Sequence, residues 1–194
     1  RSDQTDTVKR HYYDANGREC FSAIQVYDYT QKKVVLCVVQ THYNLAGHVI
    51  KKTSYAQVLV SDQYATLGYQ DLAQFAADHV ADAGNRYSYS VVDALGRVCF
   101  AIDSEGYVVE NTYDARGRII VKTEYALAVD PLSYIHQVPA QITIPTDEAD
   151  RVHYTVFDEF NKPRFTVGPL GDARRYTRDE LGNEVEQVCF AQPK

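Results

Sequence analysis

The sequence predicts an all-β fold: an antiparallel meander ribbon of short hairpins, with one short helix in the first insertion between repeats. Three observations predict it. Four-residue signals with Asp first and Gly fourth recur, as Asp93-Ala-Leu-Gly96, Asp103-Ser-Glu-Gly106 and Asp114-Ala-Arg-Gly117. Asp accepts hydrogen bonds from amides ahead of it in a type I turn, and Gly then takes the left-handed conformation that bulges into the next strand. Between the turns run short stretches of alternating character, such as Val98, Phe100 and Ile102 against Cys99 and Ala101, which is the period of an antiparallel strand. The whole pattern then returns, so the chain reads as three copies of one unit of roughly 41 residues.

The clearest copy spans residues 86–126, and the copy at 151–191 matches it closely. Its turns begin at Asp158, Gly168 and Asp179, with the same spacings of 10 and 11 residues. Asn161 stands where Asp158's turn needs its glycine, Asn being the common substitute at positive φ, and Gly182 closes the turn of Asp179. Phe100 and Phe165 each lie four residues past that position, and Tyr125 and Phe190 eight residues past Gly117 and Gly182. The first copy, 10–56, is looser. Asp14 to Gly17 and Asn44 to Gly47 are its outer turns, with Phe21 and Tyr55 in the two aromatic columns. Its middle hairpin turns near Thr30 to Lys33 without glycine. If the units stack, Phe21, Phe100 and Phe165 form one continuous file and Tyr55, Tyr125 and Phe190 another.

Two insertions interrupt the repeats, at 57–85 and 127–150. In the first, Leu72, Phe75, Ala76, His79, Val80 and Ala83 fall at helical spacing, predicting a helix over 69–83 laid on the sheet and capped by Gly84-Asn85. In the second, Asp130-Pro131 reads as a cap and first position of a short turn, and Pro139 and Pro145 favour extended chain. Neither insertion has linker composition, so residues 1–194 are expected to form one continuous body. Residues 1–9 read as a polar lead-in, and the last residues trail off. The chain has no methionine, even at position 1, which is expected of an excerpt from a longer polypeptide. Around Gly117, Ile120, Lys122 and Glu124 alternate with Ile119, Val121, Thr123 and Tyr125, predicting one wet face and one apolar face.

The net charge of −6 provides no basic stripe for nucleic acid, and no apolar run is long enough to span a bilayer. Lys and Arg read as scattered, several merely following the turn glycine (Arg18, Arg97, Arg118). Cys20, Cys37, Cys99 and Cys189 are dispersed, and Cys20 and Cys99 share a repeat position, so free thiols in a packing role are expected. His11, His42, His48 and His153 read as surface or packing residues, and His79 as a core histidine of the helix. Turn capping accounts for the aspartates without calcium, and Glu184 and Glu186 share one strand face without further catalytic signature. No metal or cofactor site and no enzymatic activity are therefore expected.

The core Tyr-Asp-x-x-Gly-Arg, as YDANGR at 13–18 and YDARGR at 113–118, with DALGR, DELGN and YNLAGH as variants, resembles the YD repeat. That repeat occurs in Rhs proteins, in the B and C components of bacterial insecticidal toxin complexes, and in teneurins. The resemblance covers most of the chain outside the insertions. It departs at Asn44, at Phe157-Asp158 and Arg178-Asp179, and at Asn161. It implies a β-sheet ribbon that spirals into a shell around a toxin or C-terminal cargo, or that serves adhesion, in a large secreted or surface protein, bacterial by family. Implied partners are neighbouring repeats of the same polypeptide, an encapsulated toxin domain, and a glycan or cell-surface receptor. The segment with self-cleaving aspartates that follows the repeats in shell-forming members is not found here, so protease activity is not expected. Two functions follow: a structural wall segment, or a binding module in which tyrosines such as Tyr107 and Tyr113 face a ligand.

Overall fold

The computed structural model describes residues 8–30, 33–60, 66–134 and 137–190. The lead-in up to residue 7, the tip of the first middle hairpin at 31–32, the stretches 61–65 and 135–136, and the trailing residues 191–194 lie outside the described residues. The strands are β1 (Lys9–Tyr13), β2 (Glu19–Asp28), β3 (Lys33–Tyr43), β4 (Val49–Leu59), β5 (Arg86–Val92) and β6 (Val98–Ile102). They continue as β7 (Val108–Tyr113), β8 (Ile119–Glu124), β9 (Arg151–Phe157), β10 (Pro163–Val167), β11 (Ala173–Arg178) and β12 (Glu184–Phe190). One helix, α1 (Tyr69–Asp78), lies between β4 and β5. The twelve strands form a sheet in chain order, and the fold is the predicted all-β antiparallel meander.

The turn chemistry explains that order. At Asp14, Asn44, Asp93, Asp103, Asp114, Asp158, Gly168 and Asp179 the carbonyl accepts a hydrogen bond from the amide three residues on. The residue supplying that amide has positive φ every time: Gly17, Gly47, Gly96, Gly106, Gly117, Asn161, Gly171 and Gly182. The predicted bulges follow, as register shifts at Tyr12/Tyr13, His42/Tyr43, Thr112/Tyr113 and Thr177/Arg178. Each bulge adds one residue to the strand that follows the turn: Cys20, Ile50, Ile120 and Val185.

Contacts divide the chain into two compact units, Arg1–Tyr89 and Ser90–Lys194. In the first, α1 lays Leu72, Phe75 and Ala76 on Phe21, Val38 and Tyr55. Phe21 meets Tyr69 edge-on with centroids 5.6 Å apart, and Tyr55 meets Phe75 at 5.5 Å. The helix ends at Asp78, five residues short of the predicted end, and later side chains take the carbonyls of the two residues just past it, which a longer helix would have used for its own hydrogen bonds. Asn85 Nδ2 donates to the carbonyl of His79 at 2.8 Å, and the Tyr87 hydroxyl to that of Val80 at 3.2 Å. Val80 is 60% exposed and Ala83 is exposed, so the apolar stripe is shorter than predicted. Gly84 has no left-handed φ either. A Cβ there would lie 2.8 Å from that of Ala56, so close approach of the chain selects the glycine.

In the second unit Val91, Phe100, Ile102, Val108 and Ile144 are buried. Asp130 accepts from the amide of Leu132, starting a 3-10 turn at Pro131–Ser133 as expected, but Pro139–Gln141 forms a second such turn where extended chain was predicted. Proline suits the first position of either turn, because its missing N–H is an orphan there anyway. Val129 donates to the carbonyl of Gly106 at 2.9 Å, and a Cβ on Gly106 would overlap the carbonyl oxygen of Val129. Both insertions close alike, though no sequence signal marked it. Asn85 accepts from the amide of Ala56 at 2.9 Å, and Asp150 from that of Ala126 at 2.8 Å.

The aromatic columns are corrected. Equivalent strands β6 and β10 are four strands apart in one sheet, about 19 Å at ~4.8 Å per strand, so Phe100 and Phe165 cannot touch. The third copy closes instead on itself, Phe165 meeting Phe190 at 5.9 Å. The two faces of β8 are also less distinct than predicted, since Ile119 is 40% exposed while Lys122 and Glu124, side by side on the other face, are half-buried and paired at 2.6 Å.

Burial then ranks the phenylalanines. Phe100, 4% exposed, should cost about 3–5 kcal/mol when truncated to Ala. Phe165→Ala should cost less than half as much, because Phe165 is only half-buried. Urea titrations of both variants check this, and equal losses would contradict the ranking.

Candidate functional site

The turns of Asp14 and Asn44 share one end of the strands in the first unit, and those of Asp93, Asp114, Asp158 and Asp179 share one end in the second. Three follow the full Asp-x-x-Gly-Arg pattern and form the same lock. In the turn of Asp93, Oδ1 accepts from the amides of Leu95 at 2.9 Å and Arg97 at 3.0 Å. Oδ2 accepts from Arg97 Nε at 2.7 Å, with Nη2 at 2.6 Å. Two guanidinium nitrogens thus converge on one carboxylate oxygen while the other oxygen caps the turn, a planar arrangement that an ammonium group cannot reproduce. Asp14 with Arg18 and Asp114 with Arg118 repeat it, with Nε to Oδ2 distances of 2.8 and 2.7 Å.

Each arginine then reaches the neighbouring turn. Arg18 lies over the Tyr43 ring at 5.0 Å, Arg97 over Tyr113 at 4.7 Å, and Arg118 over Phe157 at 4.5 Å. These rings immediately precede the next turn residue, Asn44, Asp114 or Asp158. The hydroxyls return the contact: Tyr43 donates to the carbonyl of Glu19 and Tyr113 to that of Val98, both at 2.8 Å. Arg97 Nη1 also donates to the carbonyl of Asp114 at 3.5 Å, and Arg118 Nη1 to Asn161 Oδ1 at 2.9 Å. The glycine-following arginines are therefore the organised members of the turn row, a correction to their reading as scattered charge. Arg97 and Tyr113 are 16 positions apart in the sequence, so only strand order reveals their contact.

Where the pattern departs, a different residue fills the same place. Arg178 replaces tyrosine, and its Nη1 donates to the carbonyl of Pro163 at 2.7 Å, the position equivalent to Glu19 and Val98. It also donates to Asp158 Oδ2 at 2.8 Å. Lys162, in the arginine position, donates from its amide to Asp158 Oδ1 at 2.9 Å and from Nζ to the carbonyl of Gly182 at 3.1 Å. Asn183 caps with its amide on Asp179 Oδ1 at 2.8 Å, and Asn44 accepts from the amide of His48 at 2.9 Å. At the opposite end of the strands, Asp103 caps its turn through the amides of Glu105 and Tyr107, at 2.9 and 3.0 Å. There the Gly168 turn lacks a carboxylate of its own, and the side chain of Asp172 occupies the space a Cβ on Gly168 would need.

The locks shift the acids. The Arg18 amide and then its guanidinium hold the Asp14 carboxyl below its ordinary 3.8, and Arg118 does the same to Asp114. At Asp93 burial pushes upward and is outweighed by the side chain and amide of Arg97. At Asp158 burial is likewise outweighed, by the Lys162 amide and Arg178, while Asn183 lowers Asp179. Burial pushes the Tyr43 and Tyr113 hydroxyls up, keeping them donors.

Other candidate chemistry is dispersed. Among the described residues no group of three His, Cys, Asp or Glu side chains is placed to hold a metal. Cys20 and Cys99 are half-buried, their thiols directed at the carbonyls of Arg18 and Arg97, and burial pushes both pKa values up; Cys37 and Cys189 are exposed. His11 pairs with Glu19 at 2.7 Å and His79 with Asp82 at 2.9 Å, so His79 sits at the helix end against Phe75 and is not a core residue. His42 is near Thr53 at 3.5 Å, and burial lowers its pKa. Glu186 accepts from Thr177 at 3.1 Å, and Glu184 lies 3.7 Å from Arg178. An open depression lined by Asp158, Arg164, Arg175, Tyr176, Arg178 and Glu186 draws its ionisable groups from the third copy alone. Of the two candidate ligand-facing tyrosines, Tyr113 is engaged in the lock, and Tyr107 is 46% exposed.

No protein-family model and no curated protein matches the chain. Among solved structures it is similar to chains in the crystal structures of TcdB2-TccC3-Cdc42 and TcdB2-TccC3, each with a TM-score of 0.38, at 14% and 16% identity. A third, TcdB2-TccC3-TEV, has a TM-score of 0.37 at 14% identity. The matches cover 94–98% of this chain and 11% of each matched chain, so this chain spans about a tenth of their length.

The lowered carboxyl values set a pH window. Their stabilising contribution is complete above the ordinary value of 3.8 and is lost as pH falls from there through the lowered folded values. Urea midpoints taken at about pH 5 and about pH 2 should fall steeply for the wild type. They should fall less for the double variant Asp93→Asn, Asp114→Asn, whose neutral amides have no proton to gain. Equal falls would contradict the lock.

Proposed function

We propose that this chain is a non-catalytic structural segment, a stretch of β-sheet wall in a large secreted or surface protein of the toxin-enclosing kind. One observation carries the reading. The polar groups that recur through the copies are engaged with the backbone or with one another, in holding neighbouring hairpins at fixed spacing. Asp93, Arg97, Tyr113 and Asp114 form one connected set, and Arg118, Asn161, Asp158 and Arg178 continue it. A nucleophile or general base needs a group left poised toward substrate. Here the turn carboxylates are held ionised by their own turns, and the half-buried thiols are pushed away from thiolate. The resemblance to YD repeats, carried by the same turn residues, agrees with this reading and supplies its cellular setting, outside the cell that makes it. In the full polypeptide the flanking partners of the segment are then further repeats, and the enclosed partner is a toxin or cargo domain.

A second reading has one observation in its favour. The Tyr107 ring is 46% exposed beside the Asp103 turn, where a sugar ring or receptor surface could stack. Calorimetric titration against a panel of glycans separates the two. The wall reading expects no saturable binding that depends on Tyr107. Saturable binding by the wild type that is lost in Tyr107→Ala would replace the wall with an adhesion module.

A further inference from the structure

The polar groups that recur through the copies are absorbed by the turns, which leaves the chemistry private to one copy. His42 on β3 is opposite Lys51 on β4, Lys51 is opposite Tyr89 on β5, and Thr53 is opposite Tyr87. In the second copy the same register pairs Thr112 with Val121, Val121 with Tyr154 and Thr123 with Val152. In the third, Thr177 pairs with Glu186. Thr53 and Tyr89 therefore have counterparts of their own kind in the second copy, whereas His42, Lys51 and Tyr87 belong to the first copy alone. All five residues lie on inner strands and within the first compact unit.

Opposite residues and those two apart along a strand share a face, so these five side chains meet on one side of the sheet. The Lys51 ammonium lies 4.4 Å from the centroid of the Tyr87 ring and 5.6 Å from that of Tyr89. The two rings stack at 6.2 Å, and the Tyr87 hydroxyl holds its ring in place by donating to the carbonyl of Val80 at 3.2 Å. Tyr89 and Thr53 are buried, while Lys51, His42 and Tyr87 are half-buried and reachable from solvent. An ammonium carries three N–H donors, and burying its charge costs free energy unless it is paired. Among the described residues Lys51 has neither an ion pair nor a hydrogen-bond acceptor, only the ring faces. His42 has Thr53 at 3.5 Å and no acid. Burial lowers the pKa of both groups, and Lys51 lowers that of His42 further. Two basic groups thus face each other across one strand pair with no carboxylate on either.

We propose that Lys51 and His42, floored by the Tyr87 and Tyr89 rings, bind the carboxylate of a ligand. The rings hold the ammonium from one side, and the carboxylate supplies from the other side the acceptors it lacks. Its two oxygens match the two donors that face each other, the Lys51 ammonium and the His42 imidazole. Its charge also relieves the repulsion between them. The inference goes beyond the wall reading and does not rest on it.

The test is a titration of the chain with sodium acetate at neutral pH, sodium chloride keeping the ionic strength constant, read from the histidine ring-proton NMR signals. His42→Thr assigns the His42 signals by their loss. Acetate should shift those signals saturably while the signals of His11 and His153 stay in place. Lys51→Val installs the residue of the second copy, and Lys51→Gln keeps a stem over the rings without the charge. Each should weaken the response about tenfold or more, the worth of one charge-assisted hydrogen bond. A melt of each variant establishes that it is folded. Inorganic phosphate at the same ionic strength is the second arm. No saturable shift at His42, equal shifts at His11 and His153, or an undiminished response in a folded Lys51 variant would each overturn the proposal. So would a response to phosphate with none to acetate, since the place would then not be one for a carboxylate.

Discussion

A carboxylate that must bind both its own turn and a guanidinium governs this molecule. Asp93, Asp114 and Asp14 each use one oxygen on backbone amides and the other on the arginine four residues ahead. The first use fixes where the chain reverses. The second fixes where the guanidinium plane lies, which decides what it can cover. The plane covers the aromatic ring that precedes the next turn residue, so a local motif becomes a long-range one. Exposed ion pairs alone contribute little to stability. Here the pair acts by orientation, and the stacked ring and returned hydroxyl supply the coupling between hairpins.

This chemistry suits a sheet of very low complexity. A meander has only neighbour contacts, so nothing outside adjacent hairpins sets their spacing. Within each unit the locked turns set it at one end of the strands, between Arg18 and Tyr43 in the first and from Arg97 through Phe157 in the second. Asn85 and Asp150 close the two insertions with the same hydrogen bond, although one insertion is helical and the other is built of short turns. The hydrophobic core is correspondingly local. In the first unit the helix covers Phe21 and Tyr55, whereas Phe190, with no described segment over it, remains 46% exposed.

The fold was legible because its determinants are local. Asp and Gly three residues apart mark a reversal wherever they occur, and Asn161, at φ 63°, shows the same rule met by the one non-glycine residue at positive φ among those described. What escaped were contacts that depend on which strands become neighbours. The ring beneath Arg118 lies 39 residues away, across an insertion. Arginine after each turn glycine was visible, but its purpose required knowing that the next ring would arrive beside it. Helix length failed for a related reason: the apolar spacing of Val80 and Ala83 continues past the point where Asn85 and Tyr87 claim the carbonyls of His79 and Val80, just beyond the helix. The aromatic columns failed because the copies lie side by side in one sheet, where stacking had been assumed.

The coupling between turns is measured most directly by a double-mutant cycle on Arg97 and Tyr113, using Arg97→Gln, Tyr113→Leu and the double variant in urea unfolding at neutral pH. If guanidinium and ring hold adjacent hairpins together, the two losses should fall short of additive by about 0.5–1 kcal/mol. Losses that add to within about 0.3 kcal/mol would mean that each turn stands alone.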